Sequence, residues 1–443
     1  MFEKEQRDIY INVLRREVKP ALGCTEPIAV ALAVAKASEI LEAQGEKAAK
    51  ITVEVSANIL KNAMGVGIPG TGMNGLYIAS ALGVCCGKSA YGLEVLRDVS
   101  LQHVEAAREM VGANRIEIKL SQEDAKLYIK ASCWSTSHTT SVTIRDAHDQ
   151  ITEVTLDGKC MEIQTSSSDC SKQAEDTLDI KSLGLTVESI FEFAMEAPLE
   201  EIAFIRESEV LNKAIAEEGL KHNYGLQIGK TIRNRMHASV FGHGILPYAM
   251  SLTAAAADAR MAGCTLPAMS NSGSGNQGIT VTLPVVAAAK QLKSTDEQLI
   301  RALILSHLVA IHIKTYLGRL SALCGCVVAS SGAACGITYL MGGKYTEVTY
   351  AIKNMIGNIT GMVCDGAKAG CAMKVASGTS SAVQSAILAV DKICISENDG
   401  IIESDIEKTI YNLGKIGSVG MQHTDSVMLN IMVNKRGNMP ICH

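Results

Sequence analysis

Two short stretches in the C-terminal half of the chain contain cysteines that could bind a metal. The stretches, "LCGCVVASSGAACG" and "VCDGAKAGCAMK", carry closely spaced thiols at Cys324, Cys326, Cys364 and Cys371. Cys364 and Cys371 would lie about 10.5 Å apart along the axis of an unbroken helix, which is too far for ligands of one ion or cluster. Neighbouring glycines permit the backbone to leave the helix and bring the thiols together. The stretches lack the C-x2-C pairs of zinc sites and ferredoxins, so metal binding and burial in the core are both open.

A further cysteine, Cys24, stands at a predicted helix start. It precedes Thr25, Glu26 and Pro27 in "GCTEPIAVA", a composition typical of the beginning of a helix. The positive end of the helix dipole favours a thiolate, so we expect a lowered pKa for this thiol. Cys24 is therefore a candidate base or nucleophile, and the alternative is a small structural residue at the helix start.

A glycine-rich loop, "MSNSGSGNQGIT" (269–280), combines hydroxyl and amide side chains immediately ahead of an apolar segment. Its candidate substrate-binding residues are Ser272, Ser274, Asn276 and Gln277. Backbone N–H groups and side-chain donors on such a loop suit a carboxylate or a phosphate. The loop matches neither the P-loop nor the dinucleotide-binding pattern, so nucleotide binding has little support. A plain structural turn is the alternative.

Composition and charge exclude several classes of function. The 443 residues carry a formal net charge of −5 without a stretch rich in Lys and Arg, so we expect no nucleic-acid partner. No uninterrupted apolar run reaches about eighteen residues, so we expect no membrane span. The chain contains 14 cysteines, and its first segment, "MFEKEQRDIYINVLRREVKP", is charged and unlike a signal peptide. Free thiols in a reducing cytoplasm fit this composition better than a disulfide framework.

Hydrophobic periodicity divides the chain into a mixed N-terminal part and a large all-helical C-terminal part. Helical spacing dominates roughly the first forty residues, and "ITVEVSANIL" alternates like a strand. Between about 113 and 165, a period of two predicts consecutive antiparallel strands. The polar stretch 165–177 is the predicted linker. We therefore predict an α+β fold, with Cys24 and the sheet in domain 1–175 and the metal and loop sites in domain 176–443.

Taken together, four motifs resemble those of the L-cysteine desulfidase family. The motifs are "GCTEPIAVA", "SNSGSGNQGI", "CGC" and "CDGAKAGCAMK", and they extend from residue 23 to residue 374. The family is related to the α-domain of bacterial iron–sulfur L-serine dehydratases, and "GCTEP" is the motif that favours a desulfidase over a dehydratase. A closely similar group of bacterial proteins carries the same motifs without an assigned activity, so the resemblance leaves the substrate open.

The resemblance implies a [4Fe-4S] cluster held by three cysteines, with one iron left open. Matched by motif, the ligands are Cys324, Cys364 and Cys371. Cys326 lies two residues after the first of these and is an alternative ligand. Cys442 stands near the C-terminus, where a cysteine of the dehydratase relatives can cap the open iron.

The implied reaction converts L-cysteine to hydrogen sulfide, ammonia and pyruvate. In this scheme the open iron acts as a Lewis acid, and Cys24, kept ionised by its lowered pKa, removes the Cα proton. The Ser272–Gln277 loop would hold the substrate carboxylate through hydroxyls, amides and backbone N–H groups. We therefore expect a small amino acid as the partner and a cytoplasmic location, and a homo-oligomer stays open.

Three alternative hypotheses are kept beside this one. An iron–sulfur L-serine dehydratase-like deaminase would use the same site on a different substrate. A pyridoxal-phosphate lyase would use the glycine-rich loop as a phosphate cup, but no lysine stands out as its Schiff-base partner. A non-catalytic binding protein stabilised by Zn²⁺ would use the clustered cysteines structurally, but it explains neither Cys24 nor the donor-rich loop.

Overall fold

The computed structural model describes residues 2–434 except 124, 126, 162–179, 237–239 and 319–320. The fold is α+β, and helices make up most of it. In chain order the described α-helices are α1 (Lys4–Glu17), α2 (Thr25–Ala43), α3 (Ala57–Ala63), α4 (Leu76–Cys85), α5 (Leu101–Gly112), α6 (Val187–Glu196), α7 (Leu199–Ile202), α8 (Arg206–Lys221), α9 (Ile228–Arg235), α10 (Ile245–Met261), α11 (Gly275–Leu292), α12 (Asp296–Leu317), α13 (Gly325–Leu340), α14 (Tyr345–Ile359), α15 (Cys371–Val390), α16 (Ile406–Lys415) and α17 (Gln422–Asn434).

The described strands form one larger sheet and one short pair. The strands are β1 (Pro20–Ala21), β2 (Lys50–Val55), β3 (Ile116–Leu120), β4 (Tyr128–Trp134), β5 (Thr139–Arg145), β6 (Ile151–Leu156), β7 (Lys159–Cys160) and β8 (Ala268–Met269). The six-stranded sheet has the order β3-β2-β4-β5-β6-β7, and β1 pairs with β8. The sheet lies in the N-terminal part, and β8 is a short exception in the otherwise helical C-terminal part.

The predicted run of strands is confirmed, but its pairing differs at one edge. β4, β5, β6 and β7 are antiparallel neighbours in chain order, as predicted. β2 inserts between β3 and β4, and β3 runs parallel to β2. The chain between β2 and β3 passes through helices, a crossover that parallel strands require. The prediction of consecutive antiparallel strands is therefore wrong for β3, because alternation shows which face of a strand is buried but does not identify its neighbour.

Two other predictions concern the strand that follows α2 and the linker between the two parts of the chain. In "ITVEVSANIL", only the first part is a strand, since β2 ends at Val55 and α3 begins at Ala57. The predicted linker 165–177 lies outside the described residues, and the domain boundary after residue 175 stays a prediction.

The N-terminal core lies between α2 and the six-stranded sheet. Side chains such as Ala33 and Leu41 of α2 are fully buried, as are Val53 and Val142 of the sheet. A helix that is buried along nearly its whole length is apolar on every face, which explains the alanine- and valine-rich sequence of α2. This packing holds the N-terminus of α2, and with it Cys24, in place.

The C-terminal core is built around α12 and α13. Small residues let these helices approach closely, since a Cβ at Gly332 would collide with the carbonyl oxygen of Ser306. Close helix contacts bury many alanines and few aromatic residues, which agrees with the aromatic content of 4%. The packing fixes the N-terminus of α13, where Cys324 lies.

Helix α1 packs against the C-terminal helices. Tyr10 stacks on Phe193 with ring centroids 4.5 Å apart, and Arg7 forms an ion pair with Glu201 at 2.9 Å. The chain then enters β1, which pairs Pro20 with Met269 of β8. This pairing connects the segment just before Cys24 to the segment just before the glycine-rich loop.

Within the described ranges, α12 is the one helix long and apolar enough to cross a membrane by length and composition. Its apolar window is 78% buried inside the fold. A core helix of a globular protein passes the same test, so this helix alone is weak evidence for a membrane span.

Candidate functional site

Three of the four predicted site cysteines lie at helix N-termini. Cys24 is the N-cap residue of α2, Cys324 is the N-cap residue of α13, and Cys371 is the first residue of α15. The fourth, Cys364, lies in the loop that precedes α15. Helix N-termini carry partial positive charge and unpaired backbone N–H groups, so they favour thiolates and other anions.

A short antiparallel bridge brings Cys324 and Cys364 together. Leu323 pairs with Val363, the Cys324 N–H donates to the Met362 carbonyl at 2.9 Å, and the Cys364 N–H donates to the Ala322 carbonyl at 2.7 Å. The nearby Cys324 thiol lowers the pKa of Cys364, and the Cys364 thiol raises the pKa of Cys324. The bridge therefore holds the two thiols near each other.

The loop between Cys364 and Cys371 leaves the helical path, as the glycines in the sequence predict. Gly366 has a φ of +88°, and a Cβ there would collide with the carbonyl oxygen of Lys61 in α3. The Lys368 N–H donates to the Cys371 sulfur at 3.4 Å. Burial raises the pKa of Cys371, and a thiolate at Cys364 raises it further, so the two thiols lie within electrostatic range of each other.

Lysines surround this loop and give the thiols a cationic environment. Lys61 and Lys374 lower the pKa of Cys364 through their positive charge. Lys374 forms an ion pair with Asp365 and also donates to the Val363 carbonyl at 3.0 Å. Thiolates buried among these cations cost less free energy than thiolates in an uncharged interior.

Cys24 lies beside the same group of thiols. It is 6% exposed and packs in one small apolar cluster with Cys371, Val66 and Met261. Its sulfur lies 3.3 Å from the Oε2 atom of Glu26. The structure thus brings Cys24, which is distant in sequence, next to Cys371, one of the three predicted metal ligands.

The predicted lowering of the Cys24 pKa is wrong. Burial raises the pKa of this thiol, and the negative charge of Glu26 raises it further, while Arg260 opposes the change. The helix dipole considered in the sequence analysis is weaker than removal from water and an adjacent carboxylate together. Cys24 therefore carries its proton at neutral pH in this structure, with the S–H group donated to Glu26.

Glu26 is a site residue that the sequence analysis quoted but did not assign. Its Oε1 atom accepts a hydrogen bond from Asn62 at 3.1 Å, and its Oε2 atom accepts from Cys24. Burial alone would raise the pKa of Glu26, but His148, a backbone N–H group and the Cys24 thiol together hold it below its usual range. A partly buried carboxylate with a shifted pKa, in contact with a candidate acid–base residue, is itself a signal of a functional site.

The glycine-rich loop lies at the N-terminus of α11 and is held by its neighbours. The Ser270 N–H donates to the Lys19 carbonyl at 2.8 Å, and the Ser272 N–H donates to the Glu17 carbonyl at 2.9 Å. Ser274 caps α11 by accepting a hydrogen bond from the Gln277 N–H. The loop is therefore attached to the segment that leads from α1 into Cys24.

The four predicted loop residues contribute unequally to this site. The Ser272 hydroxyl donates to Asn271 at 2.9 Å, and Ser274 is occupied as a helix cap. Asn276 accepts a hydrogen bond from Arg260 at 3.2 Å. Gln277 donates through Nε2 to Asn271 at 2.9 Å, and its buried Oε1 atom has no partner.

His307 is a residue of α12 that contacts the glycine-rich loop. Its Nδ1 atom lies 3.1 Å from the Asn271 side-chain nitrogen, and its Nε2 atom lies 3.0 Å from the Thr282 hydroxyl. Burial lowers the pKa of His307 to about 3, so the ring is neutral. His312, on the same helix, instead pairs with Glu407 at 2.7 Å, so the two histidines serve different contacts and form no metal pair.

Arg260, near the end of α10, is a site residue that the sequence analysis missed. It is 5% exposed, and it donates to the Gly23 carbonyl at 2.8 Å as well as to Asn276. Its Nε atom is buried without a partner. The available signal was a single arginine in the alanine-rich segment "TAAAADARMAG", where a buried charge is unusual.

Cys326 is buried in a small apolar cluster that also includes Cys324 and residues of α15. Its sulfur donates to the Lys374 carbonyl at 3.1 Å, and burial raises its pKa to about 12. A Cβ at Gly378 would approach this sulfur to 2.5 Å, so α15 packs directly on it. Its contacts are those of a core residue, and Cys442 lies outside the described residues.

The thiols fit an iron–sulfur cluster by their chemistry. Across the described residues, no three His, Cys, Asp or Glu side chains are grouped closely enough to hold a single metal ion. A cluster is larger than an ion, so its ligands stand further apart. Cys324, Cys364 and Cys371 converge from separate elements, and nearby lysines and helix N-termini can balance the negative charge of thiolates.

Comparison with known proteins places these residues in a family. A family model described as the serine dehydratase alpha chain matches residues 90–430. A UPF0597 protein of Parabacteroides distasonis is 52% identical over 425 residues, which cover 96% of this chain and 97% of the relative. A UPF0597 protein of Phocaeicola vulgatus is 49% identical over 438 residues, covering 98% of this chain and 100% of the relative. A third, from Oleidesulfovibrio alaskensis, is 50% identical over 427 residues, with coverage of 96% and 98%.

Proposed function

Because the chain belongs to the serine dehydratase alpha-chain family, we propose that it is an iron–sulfur-dependent lyase that removes the β-substituent of a small L-α-amino acid. The observation that carries this proposal is the convergence of four thiols from three segments of the chain. A backbone bridge holds Cys324 beside Cys364, and Cys24 packs with Cys371. A cytoplasmic location belongs to the same proposal, since a site of reduced thiols needs a reducing compartment.

Cys324, Cys364 and Cys371 would hold a [4Fe-4S] cluster. When bound, the cluster supplies a Lewis acid that polarises the substrate or its leaving group. The lysines around the Cys364 loop stabilise the thiolate form that metal binding requires. Cys326 is left out of the ligand set because its sulfur is engaged with the Lys374 carbonyl.

Cys24 and Glu26 would carry the proton chemistry. Glu26 accepts the Cys24 S–H hydrogen bond at 3.3 Å and so orients this thiol. In its thiolate form, Cys24 would remove the Cα proton of the substrate while the β-substituent leaves. Loss of both groups gives aminoacrylate, which hydrolyses to pyruvate and ammonia.

The glycine-rich loop would bind the substrate backbone. Of the residues proposed for this task, Ser272 and Ser274 act through the conformation of the loop, since their hydroxyls serve neighbouring residues. Asn276 and Gln277 present amide groups next to Arg260 and the thiols. Such preorganised polar groups lower the cost of orienting a small zwitterion.

L-Cysteine is the substrate we propose, which would make the protein an L-cysteine desulfidase-like carbon–sulfur lyase. The motif "GCTEP", with Cys24 and Glu26 in contact, supports this choice. L-Serine is the second candidate, and the match to the serine dehydratase alpha chain favours it. Both substrates give pyruvate and ammonia, and only L-cysteine releases sulfide.

A direct comparison of the two substrates tests the proposal. Protein purified without oxygen is assayed for pyruvate with L-cysteine and with L-serine, and sulfide is measured in parallel. We expect a higher kcat/KM for L-cysteine, with sulfide and pyruvate formed in equal amounts. A higher kcat/KM for L-serine would make the protein a deaminase, and no pyruvate from either substrate with the iron retained would refute the lyase.

A further inference from the structure

Arg260 is a buried cation for which the described residues provide no hydrogen-bonded anion. Its two described hydrogen-bond acceptors, the Gly23 carbonyl and the Asn276 amide oxygen, are both neutral. Its Nε atom is buried without a partner beside Gly275, where a Cβ would collide with the guanidinium. Glu26 is close enough for electrostatic attraction but forms no described hydrogen bond with it. A guanidinium kept out of water normally pairs with a carboxylate or phosphate.

Gln277, the residue after the Arg260 partner Asn276, offers an unpaired acceptor. Asn271 uses its Nδ2 atom to donate to the His307 carbonyl at 3.3 Å, so its Oδ1 atom must accept from Gln277. This network fixes the Gln277 amide with Nε2 inward and Oε1 free of partners. The Oε1 atom would lie 3.1 Å from a Cβ at Gly325, the residue after Cys324. A buried acceptor is therefore directed toward the thiol site.

One unpaired donor and one unpaired acceptor match the two charged groups of a free α-amino acid. Arg260 and Gln277 are connected through Asn276, which bonds to the first and adjoins the second in sequence. The two residues are 5% and 1% exposed, so the Arg260 Nε and Gln277 Oε1 atoms lose their hydration without gaining a protein partner. Such unsatisfied atoms cost free energy unless a ligand completes them.

We propose that Arg260 binds the α-carboxylate of the substrate and that the Oε1 atom of Gln277 binds its α-ammonium group. The site then selects free zwitterionic amino acids and rejects amines, carboxylic acids and amides that lack one of the two charges. The inference rests on the proposed function for the location of the site and deepens it by naming the groups that are recognised.

The groups next to Arg260 also argue against a phosphate ligand. Glu26 lies within electrostatic range of Arg260 and would repel a dianion. One guanidinium and an uncharged amide balance a monoanionic carboxylate joined to an ammonium group. A phosphate would call for further donors, and phosphate sites commonly use clustered cations or a series of backbone N–H groups.

The test uses ligands that cannot react. L-Alanine has no leaving group, so its binding is independent of turnover and the result stands even if the lyase proposal fails. The Tm of the anaerobically purified full chain is measured against increasing L-alanine, ethylamine and propionate. We expect L-alanine to bind about 10- to 100-fold more tightly than either single-charge analogue, the usual range for a charged hydrogen bond. Equal affinity for L-alanine and ethylamine, or no shift with any of the three, would overturn the inference.

Two variants assign the effect to Arg260. We expect Arg260→Gln to weaken L-alanine binding about 10- to 100-fold and to leave ethylamine binding unchanged, whereas Arg260→Lys retains part of the affinity. Arg301→Gln is the matched control, because Arg301 is also largely buried but donates to the Ala194 and Ala197 carbonyls away from the thiols. Unchanged L-alanine affinity in a folded Arg260→Gln protein would contradict the assignment. If that variant does not fold, the analogue series on the unaltered protein decides.

Discussion

Cys24 differs from the three proposed ligands in the partner of its sulfur. A backbone bridge holds Cys324 beside Cys364, whereas Cys24 donates its S–H group to the carboxylate of Glu26. A thiol that contacts a carboxylate and lies beside the ligand set is placed for proton transfer, while thiols held side by side are placed to share a metal centre. The two roles can be separated by substitution.

The first prediction at the residue scale concerns Cys24→Ala. We expect this variant to lose at least about 10²-fold in kcat, the contribution of a positioned acid–base group, while its iron content stays unchanged. Turnover and iron per chain are measured on the same preparation. Cys335→Ala is the control, since Cys335 is fully buried in α13 and donates only to the Ser331 carbonyl. Loss of iron together with activity would show that Cys24 is a ligand or a structural residue.

The second prediction concerns Asp258, a buried carboxyl that accepts a backbone hydrogen bond from Gly229 at 3.0 Å. Burial raises its pKa to about 6, against an ordinary value of 3.8. The folded state therefore binds this proton more tightly than the unfolded state, and the contribution of Asp258 to stability falls as pH rises from about 4 to 6. Above that pH range, the loss of stability caused by the ionised Asp258 carboxylate is complete.

Asp258→Asn should remove this pH dependence. Between pH 4.5 and 7, we expect the unaltered protein to lose about 2 kcal/mol of unfolding free energy relative to the variant. Denaturant unfolding of both proteins at the two pH values provides the comparison. A constant difference between them would mean that Asp258 does not titrate in this range.

At the scale of elements, the site depends on how α3 and α17 meet the Cys364 loop. Lys61 of α3 is 4% exposed, and it forms an ion pair with Asp425 of α17 at 2.6 Å. Its carbonyl accepts from Lys368 at 3.2 Å and contacts Gly366. The N-terminal helix α3 and the last described helix therefore both position the loop that carries Cys364.

We expect Asp425→Ala to lower the unfolding free energy by about 3 kcal/mol, because it leaves the Lys61 charge buried and unpaired. The double variant Lys61→Met with Asp425→Leu should recover most of that loss. Asp98→Ala provides the control, since the Lys88–Asp98 pair is about half exposed and should contribute less than about 1 kcal/mol. Equal losses for the two single variants, measured by denaturant unfolding, would show that burial of Lys61 has no special cost.

The Cys364 loop offers a second prediction at this scale. Gly366→Ala places a Cβ against the Lys61 carbonyl at a φ of +88°, so we expect a loss of about 2–4 kcal/mol and a lower iron content. Gly370→Ala lies in the same loop with a φ of −61° and open space around its Cβ position, and should change stability by less than about 1 kcal/mol. Equal iron content in both variants would contradict the proposed role of the loop.

At the scale of the whole molecule, local structure could be predicted from the sequence better than long-range contacts could. The strands β4 to β6 and the helix start at Cys24 follow from periodicity and from residue types near one another in sequence. The insertion of β2 beside β3 does not, because register and neighbour choice depend on which elements pack together. The Cys364 loop was accessible from sequence because its glycines permit the turn that the structure shows.

The same distinction explains which site residues were found. The cysteines and the loop amides can be recognised in the sequence by their residue types and their spacing. The importance of Arg260 and the wrong sign of the Cys24 pKa shift both result from burial, which single-residue patterns do not reveal. A buried charge without an anionic partner can be recognised only after the elements around it are assembled.

The most direct test of the central claim is the iron and acid-labile sulfide content of the full chain purified without oxygen, together with its visible spectrum before and after dithionite. We predict about four iron and about four sulfide per chain, with a broad absorption that bleaches on reduction. Cys324→Ser should remove the iron, whereas Cys335→Ala should retain it. A chain that contains no iron and no labile sulfide under strict anaerobic handling, with all three proposed ligands intact, would contradict the account.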